Sequence, residues 1–352
     1  MRRSLLPLGL LITGMLITNL ASAADKGVKV TTDEANHRVD ITVDGQPFTS
    51  YLWNTNQRKP VLYPLVAPDG TTVTRGYPFK TIQGERVDHP HHAGLWFNYG
   101  NANNFDFWNN SDAIKPADRG KYGSIRHDRI VSTQSGPHSG ELTTESTWTT
   151  AAGDDILHQT TRYVFSSSTL AGQPARVIDM TVTLKALAPV VFHDDKEGVL
   201  GIRVAHFLES PTEKGGTFLD ASGNPTQVKA ADTSGATGVY HTSEGITGDA
   251  AWATRGRWCF LTGETSGHTE TIAIIDNPKN PGYPTYWHAR GYGLFAANPL
   301  GRSIFDTKQP AFNFTIDKDQ TATFRYRIIL SSHSATPDEM NKEADTFAAE
   351  LK

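Results

Sequence analysis

Three of the chain's 13 histidines fall within four positions, in Asp88-His89-Pro90-His91-His92-Ala93-Gly94-Leu95-Trp96-Phe97. Histidine is the side chain whose ordinary pKa lets it serve as ligand, acid or base near neutrality. The cluster therefore reads as a site. In an extended segment alternate side chains share a face, so His89 and His91 are expected to project together while His92 points away. Pro90 favours an extended backbone and suits a strand end at a sheet edge. An H-x-H pair on one face can hold a divalent metal through two imidazoles, bind the hydroxyls of a polar substrate, or pass protons. A metal would need a third ligand, for which His127, His206 and His288 are the candidates.

Three further segments carry chemistry. Trp96 to Asn110 mixes aromatic side chains with amides and holds Asp106 between Phe105 and Phe107. Aromatic faces stack on sugar rings, while amides and acids bind hydroxyls. Trp96, Trp108 and Asp106 are thus candidate substrate contacts, against the plainer reading of Phe105 and Phe107 as core. His193-Asp194-Asp195-Lys196-Glu197-Gly198 leads into a strand carrying Arg203. A carboxylate beside a lysine and an arginine is a common way to tune proton transfer, which selects Lys196, Glu197 and Arg203; Asp194 and Asp195 read as a solvated turn. In Tyr286-Trp287-His288-Ala289-Arg290-Gly291-Tyr292, His288 and Arg290 occupy alternate positions and share a face.

The elements that must position these residues are almost all strands. Val28 to Thr31, Val39 to Val43, Thr143 to Thr149, Val177 to Leu184 and Phe324 to Leu330 are β-branched and alternating. Asp44-Gly45, Asp69-Gly70, Gly153 and Gly223 mark turns. Thr336-Pro337-Asp338-Glu339 is a capping box that opens one C-terminal helix, expected over 337–351. Thr212 to Gly238, poor in hydrophobic residues, reads either as a long surface excursion or as a hairpin pair. The pattern predicts an all-β chain: one large antiparallel β-sandwich of the supersandwich kind over 24–352, with that single helix.

Residues 1–23 read as an export signal, with Arg2 and Arg3, an apolar stretch, and a small-residue cleavage site at Ala21-Ser22-Ala23. The mature chain is then expected in the periplasm or outside the cell. No later stretch approaches the roughly 20 apolar residues of a membrane span. A net charge of −4 argues against nucleic acid as partner. Cys259, the one cysteine, lies in an apolar strand-like run and reads as a buried thiol.

Several of these stretches resemble a family of secreted bacterial proteins of unknown function labelled "methane oxygenase PmoA". They are the segment from Asp88 to Phe97, Phe105-Asp106-Phe107-Trp108, Gly123 to His127, Lys196 to Ala205, and Pro284 to Pro299. The methane monooxygenase subunit that shares the label is an integral membrane protein. This chain, with a mean hydropathy of −0.41, has no such spans, so methane oxidation is set aside. The resemblance places the chain instead beside large sandwich enzymes acting on sugars, such as aldose epimerases and polysaccharide lyases.

The leading expectation is a secreted carbohydrate-active enzyme: a lyase, hydrolase or epimerase. His89, His91, His92, Glu197 and His288 would supply its catalytic groups. Trp96, Asp106, Trp108, His127, Lys196, Arg203 and Arg290 would bind a small-molecule or oligosaccharide ligand. A non-catalytic periplasmic sugar-binding sandwich is the second reading. A metal-dependent oxidoreductase, with a divalent metal on His89 and His91, is the third.

Overall fold

In a computed structural model, residues 26–211, 215–220, 222–228 and 235–350 are described. The export signal expected at 1–23 and the end of the helix expected to reach 351 lie outside these residues. The β-branched alternating segments become strands of two large antiparallel sheets, one of nine strands and one of eight. Side chains from the two inner faces meet in a common core. Leu95, Phe97, Tyr99, Leu200, Ile202 and Phe295 of the nine-stranded sheet join Phe165, Ile178, Val182, Phe324 and Ile328 of the other. Phe97 touches Phe324 across the gap, with ring centroids 5.5 Å apart. The all-β sandwich is thus the observed architecture.

The eight-stranded sheet is covered on both faces only around Trp258–Thr265 and His268–Asp276, whose buried runs are nearly continuous, while Ser139–Thr149 and Asp155–Leu170 keep the alternation of a sheet with one exposed face. Along His268–Asp276, Ile272 and Ile274 face the sandwich core, while Ala273 and Ile275 face away. The helix Pro337–Ala349 covers that outer side through Met340, Ala344 and Phe347. Its capping box is in place: Thr336 Oγ1 accepts from the Glu339 amide, and the Thr336 amide donates to Glu339 Oε2 at 2.7 Å. Cys259 is fully buried, and burial raises its thiol pKa.

Four adjacent strands of the nine-stranded sheet carry the site: Leu95–Tyr99, Gly198–Arg203, Leu294–Asn298 and Thr285–Arg290. Their outer face holds Trp96, Leu294 and Ala296, packed with Trp108. Gly201 pairs with Trp96 on one side and Ala296 on the other. A Cβ there would lie 2.6 Å from the Trp96 ring and 2.8 Å from that of Trp108, so the two indoles fill the space a side chain would need.

Three local readings are corrected or resolved. Asp194 is no solvated turn residue: it accepts from the Ser303 amide and hydroxyl at 2.7 and 2.8 Å and from the Phe312 and Asn313 amides. It thereby caps a one-turn helix, Arg302–Phe305, that the sequence pattern did not suggest. Asp195 is likewise engaged, accepting from the Glu197 amide at 2.9 Å. Within 212–238 the described residues form a hairpin, Gly216–Leu219 paired with Pro225–Val228.

Candidate functional site

The three clustered histidines sit on a turn. The His92 amide donates to the His89 carbonyl at 2.9 Å. His89 has φ +41°, a left-handed conformation uncommon outside glycine. That reversal corrects the extended reading. His92 does not point away; its ring stacks on that of His89 at 5.0 Å and meets that of His91 at 4.4 Å.

Arg75 holds the turn. Its side chain is buried, and its guanidinium donates to the carbonyls of Arg86, His89 and His92 at 3.0–3.3 Å. It also donates to Asp88 Oδ1 at 2.7 Å, an oxygen that Arg203 reaches at the same distance. Burial would raise the Asp88 pKa, but the His89 contact and the two guanidinium charges hold it well below the usual carboxylate range. Asp88 Oδ2 lies 3.3 Å from His89 Nδ1. An acid at Nδ1 keeps the proton there and leaves Nε2 as the basic nitrogen.

His91 and His92 face inward. His92 has Trp108 Nε1 at 3.0 Å from Nε2 and Arg203 Nη1 at 3.3 Å from Nδ1. Both neighbours are donors only, so a protonated ring would set two N–H groups against two others. Burial, with charges nearby, pushes His92 well below its ordinary pKa. Its role is to seat the turn on Trp108. His91 Nε2 is buried without a hydrogen-bond partner, and burial followed by the Lys59 charge pushes His91 down to about 2. Lys59, itself buried and lowered to about 7, donates to the His91 carbonyl at 2.8 Å.

Trp96 and Trp108, expected as stacking surfaces, are 1% and 0% exposed and lie behind the histidines. The open aromatic surface is elsewhere. His89, Tyr292, Arg290, Trp252 and His288 form one row of planes. His89 stacks on Tyr292 at 5.2 Å; the Arg290 guanidinium lies 5.8 Å from Tyr292 and 4.7 Å from Trp252; Trp252 meets His288 at 4.7 Å. Trp252, Arg290 and Tyr292, with Arg86, Asp88 and Asp249, line an open cleft of about 330 Å³. The Arg290 guanidinium pairs with no carboxylate among the described residues.

His288 closes the row as a buried member. Its Nδ1 lies 2.8 Å from the Lys196 carbonyl, which can only accept, so Nδ1 carries the proton. Burial, reinforced by Lys196 and Arg290, pushes it down to about 3. Glu197 Oε2 is 3.7 Å from the same nitrogen and has no hydrogen-bond partner, while Oε1 pairs with Lys196. Burial raises the Glu197 pKa.

Two expected residues sit apart from the cleft. Asp106 caps its own turn, accepting from the amides of Trp108 and Asn109 at 2.9 Å. His127 lies against Trp53 and bonds Tyr51 at 3.0 Å, in a second groove. The three ligand candidates His127, His206 and His288 do not join the His89 turn: the one metal-competent trio among the described residues is Asp69, His268 and Glu270. Arg75 was missed because it is isolated in sequence, and Asp249 and Trp252 because one acid and one aromatic three positions apart carry no distinctive signal. Tyr292 had a signal, the aromatic flank of His288 and Arg290.

Three solved structures are distantly similar. They are the galactosidase domain of alpha-galactosidase-sucrose kinase AgaSK (7% identity, TM-score 0.38, 86% of this chain and 41% of that one), galactose 1-epimerase from Lactobacillus acidophilus NCFM (10%, 0.38, 87% and 100%) and a galactose mutarotase related enzyme from Lactobacillus acidophilus (8%, 0.27, 88% and 99%). The chain spans less than half the AgaSK chain. No curated protein matches the sequence. A family model described as a family of unknown function (DUF6807) matches residues 38–345, and that description carries no methane-oxygenase label. The match takes in the His89 turn and all four strands beneath it, and the chain belongs to this family.

Proposed function

We propose that the chain is a carbohydrate-active enzyme that removes a proton from an anionic sugar in the Arg290 cleft. The observation that carries this reading is the arrangement of His89: half exposed, oriented by Asp88, and stacked on the same Tyr292 that flanks Arg290. His89 Nε2 takes the proton from the carbon alpha to a sugar carboxylate. The electron pair moves into the carboxylate, and Arg290 holds the resulting enediolate as a planar fork. Expulsion of the β-oxygen substituent, which leaves with a proton returned from His89, gives an unsaturated sugar acid and a free hydroxyl. Return of the proton to the same carbon gives an epimer instead. Glu197 and His288 act as positioning residues at the far end of the row, and Asp249 supplies a carboxylate for sugar hydroxyls. Export by the signal read at 1–23 goes with a substrate met outside the cytoplasm.

The test is incubation of the protein with uronate-containing and neutral oligosaccharides in D2O. Deuterium at the alpha carbon, or an unsaturated end, is expected for uronates alone. Turnover confined to neutral sugars, or binding of uronates with neither exchange nor cleavage, overturns the reading.

A further inference from the structure

A second polar cluster lies on the eight-stranded sheet, outside the cleft. Asp69 sits in the Asp69-Gly70 turn. His268 opens the strand His268–Asp276, and Glu270, two residues on, shares its face. His268 Nε2 is 2.8 Å from Asp69 Oδ2 and 3.2 Å from Glu270 Oε1, and all three ligand atoms fall within 4.8 Å of one another. Asp69 is oriented from the other side, accepting the Thr71 amide at 2.8 Å and hydroxyl at 2.9 Å.

The second observation is what the cluster leaves unsatisfied. Glu270 is 0% exposed, yet neither carboxylate oxygen has a hydrogen-bond partner. His268 Nε2, though close to Asp69, is also buried and not aligned for a hydrogen bond. A buried carboxylate without partners is costly unless a cation meets it.

We propose that Asp69, His268 and Glu270 bind a divalent transition-metal ion of the Zn²⁺ type, tying the Asp69-Gly70 turn to the sheet. Zinc bonds of ~2.0–2.2 Å set tetrahedral ligand atoms about 3.3–3.6 Å apart, so small side-chain rotations open the 2.8 and 3.2 Å contacts to admit it. Two carboxylates and a neutral imidazole match a divalent charge. The imidazole disfavours Ca²⁺ and Mg²⁺, which take oxygen ligands. The side chains of Asp69 and His268 are both partly exposed, which leaves the remaining position to water. The site is independent of the proposed sugar chemistry.

The test uses the whole protein, treated with chelator and titrated with Zn²⁺. One equivalent is expected to bind and to raise Tm, with Ca²⁺ giving no shift. X-ray absorption of the loaded protein is expected to show one imidazole with oxygen ligands. E270Q and H268N, both near-isosteric, are expected to lose at least about 100-fold in zinc affinity. Absence of a Tm shift in the wild type overturns the proposal, whether or not the variants fold. So does a spectrum with two or more imidazoles, which puts the ion at another site, or wild-type affinity in both variants.

Discussion

Arg75 Nη1 lies 2.7 Å from Asp88 Oδ1, and Arg75 also donates to the carbonyls of His89 and His92 that follow in the turn. One buried side chain thus fixes both the acid and the backbone that displays the histidines. Arg203 meets the same oxygen, so two guanidinium groups share one carboxylate beneath the cleft.

Replacing Arg75 by Met leaves the Asp88 carboxylate short of a partner and three carbonyls unheld. Breaking a buried pair on one side costs ~3–5 kcal/mol, and a loss of that order is expected in urea unfolding. A loss under about 0.5 kcal/mol would show that Arg203 alone holds the turn.

His89 is expected to matter for turnover and little for stability, because its side chain is 41% exposed. H89A should lower kcat/KM on a uronate substrate by about 100-fold or more with Tm unchanged. R290K keeps the charge but loses the fork, so its KM should rise for the anionic substrate. A large Tm loss in H89A would instead assign the ring a structural role.

His288 makes stability depend on pH. Its pKa is lowered to about 3, against an ordinary value near 6.5. Between those values the unfolded chain binds more protons than the native one. Its contribution is therefore whole above about pH 6.5 and is lost as pH falls toward 3. In H288N an amide N–H replaces Nδ1–H toward the Lys196 carbonyl without titrating. Its stability should fall less steeply over this window, and equal slopes would remove His288 from the account.

Gly201 is tested by adding one methyl. G201A drives a Cβ into Trp96 and Trp108, and overpacking of this kind costs about 1–3 kcal/mol. G120A, where nothing lies within 4 Å, serves as the control and should stay within about 0.5 kcal/mol. Equal stability of the two variants would mean that the indoles shift freely.

Strand positions and the C-terminal cap were legible because they rest on local chemistry: alternation in Val177 to Leu184, and Thr336 with Glu339. The site was legible only where its residues cluster in sequence. Asp88 and His89 stood out, as did His288 with Arg290. The face each presents did not, since the residue before a proline ordinarily stays extended and His89 instead turns left-handed. Trp96 and Trp108 advertised a ring surface but were drawn inward as a bed for His92. Arg75 and Trp252 have no neighbours in sequence to signal them; only the sheet brings them to the turn and the cleft.

The row from His89 through Tyr292, Arg290 and Trp252 to His288 also bears on the entropy of recognition. Each plane is already clasped by the next, so a ligand entering the cleft freezes little that was moving. Ordering a rotamer-rich side chain costs ~0.5–1.5 kcal/mol, a cost that the contacts of Arg290 with Trp252 and Tyr292 reduce. The guanidinium lies against two rings, 4.7 Å from the Trp252 centroid and 5.8 Å from that of Tyr292, so on the proposed reading an anion would meet a cation whose position is set by its neighbours before the ligand arrives.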